Sequence, residues 1–304
     1  MKDSRLNQAL AIGNLVNLGH DLPRATDIAL DWAERQQRQS IEHVARLARE
    51  ALIEDRLPIA QGQQHLFASF HYSIYPLLYR TLAHRSPAKV VYGLIGEQEQ
   101  GHRDTLNQQA AAFGFRIEFV ESGPRMVRHL RNALRDGSAG MLLIDIPWSK
   151  SASEMDVRYK VPGGAFRGRS SLERLVHLID DEYQFITAAR RGDSLAFDAH
   201  GTLSFDRAFG LLGQALRDDP ADYERLHQLH RFFEFDAPGS CVVSFEVAGR
   251  RYALHGRTMN AWQIDGVGAT PTDAAARERI VTDTSMTARF KKIVNDDVDA
   301  VLFL

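Results

Sequence analysis

Apolar side chains change their spacing several times along the chain, and each change predicts an element. Residues 26–55 set Ile28, Trp32, Ile41, Val44, Leu47, Ala48 and Leu52 among charged positions at helical intervals. No Gly or Pro interrupts from Ala25 to Arg56. The stretch therefore predicts one long amphipathic helix, or two shorter ones, packed on the main domain. Its polar face mixes both signs, unlike the Lys/Arg-biased face of a helix lying on a membrane. From Pro58 the texture changes, and apolar runs of strand length alternate with helical segments. Strands are predicted at 66–70, 89–95, 115–120, 139–146 and 184–188, and helices at 75–83, 102–113, 125–135 and 171–180. That alternation predicts an α/β fold with a mostly parallel central sheet flanked by helices. The run Met141-Leu142-Leu143-Ile144 is continuously apolar, as in a strand covered on both faces.

Between Pro147 and Arg169 the chain turns polar around Pro162-Gly163-Gly164, which predicts a long loop. Residues 203–232 return to helical spacing, broken at Asp218-Asp219-Pro220. Beyond Asp236-Ala237-Pro238-Gly239, the runs 241–247 and 251–255 flank Ala248-Gly249-Arg250 and read as a β-hairpin. A helical tail is expected from about 271 to 304. These shifts divide the chain into a helical N-terminal arm (1–57), an α/β domain (58–236) and a small α+β C-terminal module (237–304).

Composition narrows the function classes. A chain of 304 residues with 44% hydrophobic and 25% charged residues can bury a sizeable core. Its net charge of -2 provides no global field to attract nucleic acid or an anionic membrane. The single cysteine, Cys241, excludes an intramolecular disulfide or a Cys-rich zinc site and suits a reducing cytoplasm. No stretch approaches the ~20 apolar residues of a membrane-spanning helix, and the N-terminus lacks a signal-peptide pattern. A soluble, cytoplasmic protein is expected.

The candidate chemistry centres on His71, at the end of the strand Leu66-Phe67-Ala68-Ser69-Phe70 where the chain turns toward a helix. Clefts of α/β folds open at the carboxyl ends of strands, and an imidazole there is placed for general-base work. The cations Lys160, Arg167 and Arg169, near glycines of the 147–169 loop, could meet a phosphate. His102-Arg103-Asp104 are sequence neighbours whose side chains would not face one another on a helix. His227 and His230 have metal-compatible spacing near Glu224, though a structural helix accounts for them equally.

The order of these pieces resembles the lauroyl/myristoyl acyltransferases of lipid A biosynthesis and their lysophospholipid acyltransferase relatives. The resemblance rests on the strand ending in His71, on Leu130-Arg131-Asn132-Ala133-Leu134-Arg135-Asp136-Gly137 before a strand ending in acid and proline, and on Val161-Pro162-Gly163-Gly164-Ala165-Phe166. It closes on Asp219-Pro220-Ala221-Asp222-Tyr223 and covers roughly residues 25–233. It implies acyl transfer from an acyl carrier protein or acyl-CoA to a hydroxyl or amine, with His71 as general base and no cofactor or metal. The family places an orienting carboxylate five positions after its histidine, where this chain has Pro76. A substitute is expected from Asp145 at the end of the 139–146 strand, from Glu97 or Glu99, or from a hydrogen bond to Tyr75 or Ser73. Ser73, Tyr75, Glu97, Lys160, Arg167 and Arg169 are the expected substrate-binding residues.

The second expectation is a non-catalytic protein of the same fold that binds a partner, a peptide or an acyl ligand, as loss of the acid to Pro76 would permit. The segments Tyr252-Ala253-Leu254-His255 and Met259–Gly266 look slightly like PqqD-type peptide-binding domains, which add a leader peptide to an edge strand.

Overall fold

The computed structural model describes residues 4–37, 52–57, 65–72, 75–94, 100–120, 125–145, 155–191, 194–239, 241–257, 259–264, 269–272 and 301–303. The chain forms two compact units, each discontinuous in sequence. One unit comprises residues 36–160 and 167–215, the other residues 1–35, 161–166 and 216–304.

The first unit holds the α/β sheet. Its strands are β1 (Leu52–Arg56), β2 (Leu66–Ser69), β3 (Val90–Leu94), β4 (Arg116–Val120), β5 (Ala139–Leu143), β8 (Gln184–Arg191) and β9 (Ser194–Ala199). The spatial order is β1-β9-β8-β2-β5-β3-β4. β8, β2, β5, β3 and β4 run parallel, while β9 is antiparallel to β8 and pairs in parallel with β1. The connecting helices are α3 (Tyr75–Arg85), α4 (Gln100–Ala112), α5 (Met126–Arg135), α6 (Ser170–Ile179) and α7 (Phe205–Asp218, of which residues 205–215 fall in this unit). Pro76 lies in the first turn of α3, where its missing N–H has no helical partner to lose.

Chain direction through the sheet reverses once. From β2 the chain crosses through α3 to β3 and onward to the edge at β4, then returns through α5 to β5. From β5 it moves the opposite way, past β2, to β8. Right-handed crossovers then place α3 and α4 on one face and α5 and α6 on the other. Leu77, Leu78 and Leu82 of α3 join Leu106 and Ala110 of α4 over Phe67, Val91, Met141, Ile186 and Phe197. The gap between the carboxyl ends of β2 and β5 is a topological switch point, where ligands of open α/β sheets bind.

In the second unit, α1 (Ser4–Asn17) packs on a 3-10 turn (Leu226–Arg231) and on β11 (Val242–Val247) and β12 (Arg250–His255). Leu6, Ala9, Ile12 and Leu15 are buried along α1, and so are Asn14 and Asn17. The two amides are anchored by donating to the Leu226 carbonyl (2.7 Å) and the Gly256 carbonyl (3.0 Å). β13 (Asn260–Ile264), β14 (Ala269–Thr272) and β15 (Val301–Phe303) complete a sheet in the order β14-β13-β12-β11-β15. α2 (Leu22–Gln37, its first fourteen residues in this unit) starts after Asp21, whose carboxylate accepts the Arg24 N–H at 2.8 Å as an N-cap.

Several segments differ from the sequence reading. Residues 52–56 form a strand and not the end of a helix, because pairing with β9 overrides the local helical pattern. β9 itself was not expected. The expected loop contains β6 (Val157–Val161) and β7 (Gly164–Gly168) around Pro162-Gly163, with Tyr159 and Val161 buried and Arg158 and Lys160 exposed. That period-2 alternation marks a strand. β10 (Phe233–Phe235) pairs antiparallel with Gly164–Phe166, and a Cβ at Gly164 would run into the Glu234 carbonyl and the Phe233 ring. Helix ends at Asp218, and 3-10 turns at Pro220–Asp222 and Leu226–Arg231 replace the expected helical continuation to 232. Pro271 lies in β14 and residues 301–303 in β15, not in a helical tail; the intervening residues 273–300 lie outside those described. Among the described residues no helix is long and apolar enough to cross a membrane.

Candidate active site

The site follows from strand register. β2 and β5 pair in parallel with Leu66 opposite Gly140 and Ser69 opposite Leu143. The ladder continues past the strand ends, where the Ile144 N–H donates to the Ser69 carbonyl at 2.9 Å. Two residues beyond that last pair, the same register sets His71 opposite Asp145. The Asp145 carboxylate takes both donors that His71 offers on this side. Oδ1 lies 2.9 Å from the ring Nδ1, and Oδ2 accepts the His71 backbone N–H at 3.1 Å.

Both side chains are buried, His71 at 3% and Asp145 at 2% exposure. Burial alone would push the Asp145 carboxyl up. The positive charge of a protonated His71, the ring hydrogen bond and the N–H groups of His71 and Asp145 itself outweigh burial and hold it below the usual carboxylate range. An ionised carboxylate beside Nδ1 selects the tautomer with its proton there, which puts the lone pair of neutral His71 on Nε2. Among the described residues no group hydrogen-bonds Nε2. Tyr75 stands edge-on to the imidazole with centroids 5.2 Å apart. Phe70, the residue before, is fixed between Phe185 (5.1 Å) and Phe209 (5.7 Å). The Tyr72 hydroxyl donates to the Ala215 carbonyl at 2.8 Å. His71 is thus held on both flanks and through its own backbone.

The other candidates are placed differently. Asp145 is the carboxylate hydrogen-bonded to His71; Ser73, Glu97 and Glu99 lie outside the described residues. Lys160 is exposed on β6, Arg167 is half-buried on β7, and Arg169 occupies the N-cap position of α6. No hydrogen bond or ion pair joins these cations to His71 or Asp145. His227 lies beside Trp32, the rings tilted by 41° with centroids 5.3 Å apart. Among the described residues no group of His, Cys, Asp and Glu is arranged to hold a metal ion.

The sequence reading missed a second histidine–carboxylate pair. At the opposite end of β2, His65 Nδ1 lies 3.2 Å from Asp180 Oδ2, which also accepts the Leu66 N–H at 2.8 Å. Asp180 follows α6, and nothing local in either segment signals that they meet. Tyr159 is absent from the sequence candidates because the polar stretch around it predicts a loop. Its ring stacks on Phe209 at 4.4 Å, and burial, with the nearby Glu173 carboxylate, pushes its phenol well above the usual tyrosine value.

Compared with known proteins, the chain matches no family model and no curated protein.

Proposed function

We propose that this protein is a general-base acyltransferase, with His71 as base and Asp145 as the carboxylate that orients it. One observation carries the reading: a buried carboxylate fixes the tautomer and ring of a histidine at the topological switch point of an α/β sheet. Pro76 removes the sequence-adjacent acid of the resembling family, and Asp145 supplies the same function from the neighbouring strand.

The chemistry follows from the Nε2 lone pair, which no described residue engages. Nε2 takes the proton from an acceptor hydroxyl or amine as its oxygen or nitrogen attacks the thioester carbonyl. The Asp145 carboxylate stabilises the imidazolium that forms. When the tetrahedral intermediate collapses, the C–S bond breaks and Nε2–H returns its proton to the departing thiolate. The products are the acylated acceptor and the free thiol of the carrier. Backbone N–H groups, or one of Lys160, Arg167 and Arg169, would meet the oxyanion or the carrier's phosphate.

A structural reading has its own observation in favour. The same carboxylate arrangement, bridging an imidazole and a strand N–H, recurs at His65–Asp180 on the opposite edge of the sheet. There it serves as a latch between α6 and β2. On that reading His71–Asp145 ties β5 to β2, and the protein binds a ligand without turning it over.

Intact-mass spectrometry of the protein incubated with acyl-carrier thioesters and candidate acceptors separates the two. Release of free carrier that vanishes in His71→Ala supports the enzyme. Equal, background-level release from both proteins across several chain lengths leaves the latch.

A further inference from the structure

The exposed face of α5 carries a charge pattern that the fold does not use. From Arg125 to Arg135 the sequence reads Arg-Met-Val-Arg-His-Leu-Arg-Asn-Ala-Leu-Arg, with no carboxylate. Met126, Leu130 and Ala133 are buried toward the sheet. Arg125, Arg128, Arg131 and Arg135 are all exposed, and among the described residues no side chain pairs with their guanidinium groups.

Helix physics opposes this arrangement. Arg125 and Arg128 sit at the N-terminus, where the helix dipole disfavours cations and no acidic residue occupies the first turn. The spacings 125–128, 128–131 and 131–135 make each arginine a like-charge neighbour of the next. Two carboxylates on neighbouring elements are engaged elsewhere. Glu118 pairs with Arg116 at 3.3 Å, and Glu173 on the packed neighbour α6 accepts the Phe205 N–H at 2.8 Å. The row weakens its own helix and has no carboxylate partner among the described residues.

We infer that this arginine row docks an acidic helix of a partner protein, which on the acyl-transfer reading is the carrier that brings the thioester. The row is one helix long, ~15 Å for ten residues, and matches a single helix of alternating carboxylates. Guanidinium forks pair bidentately with carboxylates. Beyond the ~8 Å screening length at physiological salt, a larger polyanion or an anionic bilayer would meet a chain of net charge -2, which offers it no general attraction. A helix-sized partner needs only the row. The geometry also suits delivery: β4 ends at Val120 on the same edge of the sheet as His71 and Asp145, so α5 begins at that edge and runs away from it.

The test is binding of a fluorescently labelled acidic acyl carrier protein, followed by anisotropy at low and physiological salt. Arg128→Glu/Arg131→Glu should weaken binding at least about tenfold, the equivalent of ~1.4 kcal/mol, and flatten its salt dependence. A carrier with two helix carboxylates changed to lysine should recover part of the loss. The reversed variant relieves the repulsion in α5 and should melt no lower than wild type, so a binding loss is not an unfolding artefact. Unchanged affinity overturns the proposal. So does a reversal that leaves carrier binding intact and abolishes binding to phosphatidylglycerol vesicles or duplex DNA. His71→Ala separates this proposal from the catalytic one. Row-dependent binding without His71-dependent turnover sinks only the enzyme reading, and His71-dependent turnover with row-independent binding sinks only the docking surface.

Discussion

His71 and Asp145 face each other two residues past the last paired rung of β2 and β5, and each accounts for the other's orientation. The carboxylate has one oxygen for the His71 main chain and one for its ring. This double grip makes Asp145→Asn an informative substitution. The backbone N–H is a fixed donor, so the amide oxygen must turn to it and the NH2 group must face Nδ1. The imidazole then carries its proton on Nε2, and the base is lost with little change in shape. Carrier-thioester turnover should fall by about 10⁴-fold, the magnitude such a tautomer switch has in a serine-protease triad. A turnover within tenfold of wild type would remove Asp145 from the mechanism.

The same pair shapes the response to acid. The folded Asp145 carboxyl titrates below the ordinary value of about 3.9. The unfolded chain therefore binds its proton first as pH falls. The stabilisation is complete above the unfolded value and is lost as pH drops toward the folded one. Urea unfolding between pH 3 and 7 should show wild type losing stability below about pH 4.5 more steeply than Asp145→Asn. Parallel curves would mean that the carboxylate contributes no linkage.

How the site becomes legible depends on range. The strand ending at His71, the buried strand ending at Asp145 and the helices at 75–85 and 126–135 all follow from local periodicity, because each buries its own face. Asp145 is one of the substitutes the sequence offers for the carboxylate that Pro76 displaces. Its hydrogen bond to His71 needs the β2–β5 pairing, a contact between residues 74 apart that no local pattern encodes. The strand at 52–56 fails for the same reason, since its partner β9 lies some 140 residues downstream. His65–Asp180 is a third instance. Residues 157–168 were misread for a different cause. Residues 157–161 carry period-2 burial, but charges on their outward positions and the Pro-Gly-Gly that follows mimic a loop.

The hairpin of β11 and β12 contains a correctable strain. Its two-residue turn, Ala248-Gly249, has φ values of +50° and +75°, as a type I′ turn requires. Glycine adopts that conformation freely, and alanine does so at a cost of about 1–2 kcal/mol. Ala248→Gly should raise stability by up to about 1 kcal/mol once the added flexibility of the unfolded chain is deducted. Thermal melts compared with Ala248→Val, which should lower it, check the sign.

Arg35 closes a polar knot. Its guanidinium reaches Asp219 at 2.7 Å and Asp222 at 2.5 Å, and it also pairs with Asp31 one helical turn back. Burial alone would lower the arginine's pKa, but the hydrogen bonds it donates to these carboxylates raise it above the ordinary value, so it stays charged at any working pH. Asp222 is only 4% exposed, whereas Asp31 and Asp219 are open to solvent. Removing the cation therefore costs mainly through Asp222, a buried carboxylate that loses the Arg35 charge. Arg35→Met, which keeps the aliphatic stem, should destabilise by about 2 kcal/mol, between the values for exposed and for buried pairs. Arg35→Met/Asp222→Asn should recover more than half of that loss, because the amide carries no charge to strand. If the double variant is as unstable as the sum of the single ones, the two groups are not coupled, and the ion pair does not account for the loss in Arg35→Met.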